Sequence, residues 1–200
     1  MRNTFYHETE NILRLKVIFE SVYTSVFLIK AEGRSFLVDC ATTARDVDEV
    51  ILPALLREGY SLSDIDAVVV THGHGDHAGG LSRIRELAPR IRVVREPCSL
   101  TDEILTYPLP GHTQDCIGVL DTRTHTLISG DGLQGAGVDI YRCHLEEPRL
   151  YEKTLAAIAE DERIESILFS HAYEPWYRDK VITREDVLDC LKKCYEYIER

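Results

Sequence analysis

The 200-residue chain carries 23 basic and 34 acidic side chains, a formal net charge of −11 at pH 7, and 44% hydrophobic residues, which fits one globular domain over residues 1–200. The acidic balance and the lack of a lysine- or arginine-rich stretch argue against nucleic acid as a partner. No run of residues approaches the roughly 20 apolar positions that span a bilayer, and the N-terminus lacks a signal-peptide pattern, so we expect a cytoplasmic protein without a membrane partner.

Apolar periodicity and turn signals in the first half of the chain predict four strands and two helices. The strands are expected at residues 12–19, 24–30, 35–40 and 65–70, with a tight turn at 31–34. Helical spacing covers residues 46–58, where Pro53 is the awkward position, and residues 81–87. Gly79 and Gly80 are read as the opening of the second helix.

The second half repeats this trend without repeating the sequence. Strands are predicted at residues 91–94, 103–107, 117–121, 126–129 and 164–170, and helices at 148–160 and from Thr183 onward. Thr183 and Asp186 form a Thr-x-x-Asp cap for the terminal helix. Strands thus outnumber helices in one domain, and sheets covered by helices around one core are the simplest arrangement.

One short run carries most of the chemical information. His72, His74, Asp76 and His77 lie within the sequence Thr-His-Gly-His-Gly-Asp-His, directly after the buried strand at 65–70. Three imidazoles and a carboxylate at this density are typical of metal ligands. The run therefore predicts a metal centre that assists hydrolysis.

Three further ligand candidates follow predicted strands. A two-metal site needs about seven or eight ligating groups, because each zinc takes roughly four or five ligands including water. His112, Asp131 and His171 each come just after a strand candidate, where loops collect at one edge of a sheet. With the first four ligands they make seven.

The remaining histidines and the cysteines are expected to have ordinary roles. His7 and His125 are predicted to be solvent-exposed, and His144 is either a packing residue or a substrate contact. The six cysteines include no C-x-x-C pair. They are expected to be reduced thiols that act as small hydrophobic residues, with Cys190 and Cys194 on the apolar face of the terminal helix.

The ordered ligand set resembles that of the metallo-β-lactamase-fold hydrolase superfamily, and the similarity runs from about Thr24 to His171. The segments Pro-Gly-His-Thr at 110–113 and Ser-Gly-Asp at 129–131 match the usual surroundings of the ligands in that superfamily. The resemblance implies an α/β fold of four layers, an αβ/βα sandwich with two mixed β-sheets face to face and helices outside. It places the metals at one edge of the sheets.

The resemblance also implies a role for each ligand. Metal 1 would be bound by His72, His74 and His112, and metal 2 by Asp76, His77 and His171, with Asp131 bridging the two ions. Zinc is the expected ion, with iron or manganese as alternatives. Asp39 would accept a hydrogen bond beneath the site, from a ligand histidine or from backbone. Its alternative role is to initiate a turn at a strand end.

The expected enzyme is a metal-dependent hydrolase in which a hydroxide bound by two ions cleaves a small thioester, ester or lactone, with Asp76, His112 and Asp131 as catalytic ligands. True zinc β-lactamases carry a cysteine where this chain has Asp131, so the chain is more similar to the glyoxalase II and lactonase branch. Only 29 residues follow His171, which disfavours glutathione thioesters.

The sequence is compatible with several alternative functions and residue roles. A persulfide dioxygenase with one iron bound by His72, His112 and Asp131 is the main alternative, phosphodiester cleavage is a weaker one, and a binding or regulatory protein with a vestigial centre is a minor one. The glycine-rich loop at 130–137, which includes Gln134, is either a pocket wall or a flexible connector. Tyr173 is either a substrate contact or a packing residue. The physiological substrate and the oligomeric state are not predicted.

Overall fold

Two mixed β-sheets organise the protein in a computed structural model that describes residues 3–19, 22–133, 145–172 and 178–198. The chain divides into two units, residues 1–95 and residues 96–200, and each contains one sheet with its helices. The two mixed sheets with helices confirm the predicted α/β class. One domain over residues 1–200 stays a prediction.

The sheet of the first unit has six strands in the order of the chain. They are β1 (Tyr6–His7), β2 (Ile12–Phe19), β3 (Val22–Ala31), β4 (Arg34–Val38), β5 (Ala67–Val69) and β6 (Arg92–Val94). Strands β1 to β4 pair antiparallel, and β4, β5 and β6 pair parallel. The carboxyl ends of β4 and β5 therefore lie side by side, with Val38 opposite Val69.

The helix predicted at residues 46–58 is present but is not one regular α-helix. It begins as α1 (Ala44–Asp46), continues as a π-helical turn over Val47–Ile51, and ends as α2 (Leu52–Arg57). Pro53 lies in the first turn of α2, directly after the π-helical turn, so the proline falls where the regular α-helical hydrogen-bond pattern is already interrupted. A 3₁₀ turn (Leu62–Asp64) precedes β5, and α3 (Gly75–Ala78) and α4 (Leu81–Leu87) follow it.

Strand alternation explains how the first unit forms its core. Leu13, Leu15 and Val17 of β2 point to one face and belong to the same buried cluster as Val47 and Ile51 of the helical segment. Burying such side chains contributes roughly 1.5–3 kcal/mol each. This core supports the strands whose ends carry the first ligand run.

The prediction that Gly79 and Gly80 open a helix is confirmed at Gly80, which is the N-cap of α4 and accepts the backbone N–H of Ile84 at 3.1 Å. Both glycines lie between α3 and α4, and α4 begins at Leu81. A Cβ atom at Gly79 would overlap the carbonyl oxygen of Thr42, and one at Gly80 would overlap that of Cys40. The glycines are needed because two backbone segments approach each other closely there.

The second unit contains a five-stranded sheet in the order β11-β10-β9-β8-β7. The strands are β7 (Ile104–Pro108), β8 (Ile117–Asp121), β9 (Thr126–Ile128), β10 (Ser166–Leu168) and β11 (Lys180–Val181). The pair β9–β10 is parallel and the other pairs are antiparallel. Strand β11 was not predicted, because two residues give no detectable period.

Two longer helices complete the second unit, α5 (Pro148–Glu160) and α6 (Arg184–Ile198). The predicted cap of α6 is confirmed, since the backbone N–H of Asp186 donates to Thr183 Oγ1 at 3.1 Å and the Thr183 hydroxyl donates to Asp186 Oδ2 at 2.8 Å. Cys190 and Cys194 are buried in the core of this unit, as their helical spacing predicts. Across the described ranges no helix is both long and apolar enough to span a bilayer.

Candidate metal centre

The first ligand run occupies the turn that follows β5. Hydrogen bonds from Asp39 N to Val69 O and from Val70 N to Val94 O fix the carboxyl ends of the three parallel strands at one level. The chain then leaves the sheet at Thr71 and enters the short helix α3. Consecutive positions in α3 present Asp76 and His77, while His72 and His74 lie before it.

The four side chains of this run lie close enough to share ions. His72 Nε2 lies 3.0 Å from His74 Nδ1, and His77 Nε2 lies 3.6 Å from Asp76 Oδ2. The rings of His72 and His77 have centroids 4.2 Å apart. His72 and His77 are buried, Asp76 is half-buried and His74 is exposed, so the run has an inner and an outer side.

Buried hydrogen bonds of Asp39 and Thr71 hold the first ligand run in place; we call this arrangement the brace. Asp39 is fully buried, and its Oδ2 lies 2.7 Å from His77 Nδ1. Its Oδ1 accepts the backbone N–H of Thr71 at 2.8 Å. The residue adopts a φ of 63°, in the left-handed region that aspartate tolerates better than most residues. The contact with a ligand histidine that the resemblance implies for Asp39 is therefore present.

This brace decides which nitrogen of His77 can bind a metal. The Nδ1 nitrogen faces the Asp39 carboxylate, so it carries the proton and donates it. The opposite nitrogen, Nε2, is then the atom that could bind a metal, and it lies 3.6 Å from Asp76 Oδ2. A carboxylate behind the imidazole is a common arrangement at metal sites, because it fixes the ring and raises its basicity.

The second unit brings its three candidates together around Asp131. His112, Asp131 and His171 follow β7, β9 and β10, and all three are buried. Asp131 Oδ2 lies 3.8 Å from His112 Nε2, and Asp131 Oδ1 lies 3.2 Å from His171 Nε2. Each carboxylate oxygen thus faces a different imidazole nitrogen.

The distances within each unit fit shared ions. Two ligand atoms that each lie about 2.1 Å from one ion are about 3.0 to 3.8 Å apart for bond angles between about 90° and 130°. The four separations given above, two in each unit, lie within this range. Imidazole and carboxylate donors suit zinc, iron and manganese alike, so the donor set fits the expected ions.

Helix α5 and the residues just before it support the loop that carries His112. The hydroxyl of Thr154 donates to Pro110 O at 2.7 Å, and the backbone N–H of Glu146 donates to His112 O at 3.2 Å. Gly111 has a φ of 146°, and a Cβ there would lie 2.5 Å from the Cβ of Tyr151. Only glycine fits both the backbone conformation and the space at this point.

Cys116 lies near the Asp131 carboxylate but is suited to a structural role. Burial raises the pKa of its thiol to about 11; hydrogen bonds with Thr113 lower that pKa, and the charge of Asp131 raises it further. The thiol therefore stays protonated at neutral pH. This matches the prediction that the cysteines act as small hydrophobic residues.

The predicted substrate contacts and the remaining histidines are not part of the ligand groups described above. The possible substrate contacts Gln134, His144 and Tyr173 lie outside the described residues. His7 is exposed as predicted, whereas His125 is half-buried, with Nδ1 3.2 Å from Arg163 O. The bracing roles of Thr71 and Thr154 were not predicted. The position of Thr71 directly before the ligand run was the available signal, and nothing in the sequence marked Thr154.

Comparison with known proteins shows the fold and a family match over part of the chain. Residues 21–95 match the model of the metallo-beta-lactamase superfamily. The structure of the metallo-β-lactamase FIM-1 from Pseudomonas aeruginosa, determined in a mono-zinc form, aligns with a TM-score of 0.76 over 98% of this chain and 96% of that one, at 17% identity. The predicted metallo-β-lactamase fold and the resemblance to the superfamily are confirmed.

Two curated relatives carry the names of hydrolases. Hydroxyacylglutathione hydrolase from Rhodopseudomonas palustris is 33% identical over 117 residues, which cover 48% of this chain and 45% of that protein. Ribonuclease J from Mycobacterium tuberculosis is 39% identical over 66 residues, 31% of this chain and 12% of that protein. The alignments thus cover less than half of either relative. These names support a hydrolase at the level of the superfamily.

Proposed function

We propose that the protein is a metal-dependent hydrolase in which the ligands of the two units form one dinuclear centre. Metal 1 is assigned to His72, His74 and His112. Metal 2 is assigned to Asp76, His77 and His171, and Asp131 would be a ligand of both ions. The assignment follows the superfamily resemblance and the spacing of ligand atoms within each unit.

The position of Asp131 is the observation that carries this proposal. Its two oxygens face His112 and His171, which the assignment gives to different ions. A carboxylate with one oxygen directed to each of two histidines is suited to bridge two cations. A mononuclear site would need only one of these contacts.

The chain's own residues create an environment that favours anionic or polarised groups. Two dications with the carboxylates of Asp76 and Asp131 sum to a formal charge of about +2. When bound, such ions lower the pKa of a shared water toward about 7 and polarise a substrate oxygen. The charge is local, since the chain as a whole has a net charge of −11.

The proposed substrates are small thioesters, esters or lactones. An aspartate at position 131, instead of a cysteine, separates this chain from zinc β-lactamases. The similarity to hydroxyacylglutathione hydrolase, whose name describes thioester cleavage, supports the same choice. Zinc, a cytoplasmic location and a small-molecule partner are part of the proposal.

Phosphodiester cleavage is the second candidate, and the similarity to ribonuclease J favours it. The net charge of −11 opposes binding of a long polyanion, so a small phosphodiester fits this chain better than RNA.

The test combines elemental analysis with a substrate panel. The purified protein is expected to contain two ions per chain, and chelation should stop hydrolysis until zinc or manganese is added back. The panel contains thioesters, lactones and phosphodiesters, and the rates rank the candidates. One iron per chain with oxygen uptake would instead identify the persulfide dioxygenase alternative.

A variant of His112 tests the site itself. His112→Ala should abolish turnover while the circular dichroism spectrum stays unchanged, because His112 lies on a loop outside the sheets. Retained turnover would remove His112 from the mechanism.

A further inference from the structure

One hydroxyl group contacts two ligand histidines and the buried carboxylate beneath them. Thr71 Oγ1 lies 3.2 Å from His72 Nδ1 and 3.3 Å from His77 Nδ1. The same oxygen lies 3.0 and 2.9 Å from the two oxygens of Asp39. Thr71 is 1% exposed, so these contacts are made away from bulk water.

The single hydroxyl proton decides the direction of these hydrogen bonds. Asp39 accepts the backbone N–H of Thr71 and stands in a buried position, so its carboxylate is the acceptor for the hydroxyl proton. The lone pairs of Thr71 Oγ1 are then left to accept hydrogen bonds. His72 can therefore donate from Nδ1 to this oxygen, while His77 donates from Nδ1 chiefly to Asp39, and Nε2 of each imidazole is then unprotonated and able to bind a metal.

We propose that Thr71 is a positioning residue that couples the loading of the two metal ions. The inference rests on the proposed dinuclear centre, in which His72 binds metal 1 and His77 binds metal 2. The hydroxyl sets the tautomer of His72 and also contacts His77, whose tautomer Asp39 sets, so a change at Thr71 alters both sites. Asp39, by contrast, contacts His77 directly at 2.7 Å.

The two sites should respond to loss of the hydroxyl by different amounts. In Thr71→Val the contact between His77 Nδ1 and Asp39 Oδ2 remains, while the path from His72 through the hydroxyl to Asp39 is removed. Valine has nearly the shape of threonine, so the change isolates the hydroxyl. We expect affinity to fall about 10- to 100-fold at metal 1 and less at metal 2.

The experiment measures stepwise zinc affinities by chelator competition and the visible spectrum of the cobalt-substituted protein. Thr71→Val should weaken metal 1 and shift the cobalt absorption bands, and Thr71→Ser should restore both toward wild type. Thr24→Val is the matched control, because Thr24 is a fully buried threonine in β3 of the same unit. Its zinc affinities and cobalt spectrum should equal those of the wild type.

Each outcome bears on a separate claim. Wild-type affinities and spectra in Thr71→Val would overturn the role of Thr71 and leave the dinuclear centre standing. A single ion in the wild-type protein would overturn the dinuclear centre, and the coupling with it. If Thr71→Val fails to fold, the comparison of Thr71→Ala with Thr71→Ser decides, since only the serine keeps the hydroxyl.

Discussion

The two units assemble their ligands in different ways. In the first unit, four candidate ligands lie within six residues of one another, on one turn after β5. In the second, the ligands are spread from His112 to His171 and meet only because three strand ends lie at one sheet edge. One half of the candidate centre is therefore local in sequence, and the other depends on tertiary structure.

The supports beneath the two ligand sets differ as well. The first set is braced by a buried carboxylate, Asp39, which contacts a ligand ring directly. The His112 loop is instead supported by neutral contacts from α5, such as the hydroxyl of Thr154 on Pro110 O. Hydrogen bonds to charged groups contribute more than neutral ones, about 1.5–3 against about 0.5–1.5 kcal/mol. Substitution of Asp39 should therefore have a larger effect on its ligand set than substitution of Thr154 has on the other.

The largest effect is expected where one residue serves both ions. Asp131→Ala should lower occupancy of both sites together and reduce turnover by more than about 100-fold, because a shared ligand matters more than an outer partner. Metal content by elemental analysis and turnover on the best panel substrate are the measurements. Asp161→Ala, which removes a carboxylate that pairs with Arg163, is the control and should keep full occupancy. Unchanged stoichiometry in Asp131→Ala would contradict the bridge.

A smaller effect is expected at the charged brace. Asp39→Asn keeps the side-chain shape and tolerates the positive φ, but it replaces an acceptor oxygen with a donor that faces other donors. Metal affinity should fall about 10- to 100-fold, as for outer-shell partners generally. Chelator competition measures it. Asp66→Asn, at the opposite end of β5, also loses a contact with backbone N–H but should bind metal normally.

A still smaller effect is expected at the neutral brace. Thr154→Val removes the hydrogen bond to Pro110 O and should lower the free energy of unfolding by about 1 kcal/mol, with a modest loss of turnover. Thr154→Ser should restore both. Urea unfolding and steady-state rates are the measurements. A fall in metal affinity as large as that in Asp39→Asn would show that Thr154 supports the candidate ligands as strongly as Asp39 does.

The smallest effect concerns the alkaline stability of the second unit. Burial, together with Asp161, raises the pKa of Tyr107 to about 12. The folded state then holds the phenolic proton of Tyr107 more tightly than the unfolded state does. The contribution of Tyr107 to the free energy of unfolding is therefore full below pH 10 and is lost as pH rises toward 12. Unfolding free energies across this range should fall less steeply in Tyr107→Phe. An identical slope in both proteins would show that Tyr107 does not contribute.

Much of the fold could be predicted because its signals are local. The bounds predicted for β2, β8, α4 and α5 agree with the structure, since alternation and helical spacing are read over a few residues. The π-helical turn at Val47–Ile51 and the two-residue strand β11 were not predicted. Both depend on packing, which a periodic pattern does not record.

The sequence by itself determined the local half of the candidate centre, because ligands a few residues apart on one turn cannot move far from one another. Tertiary structure decided the contacts that orient those ligands. Asp39 and Thr71 are 32 positions apart, and Thr154 and Pro110 are 44 apart. The register of β4 against β5 and the docking of α5 bring these pairs within hydrogen-bond reach. Such contacts leave no periodic signal, because a single side chain meets its partner only after the chain has folded.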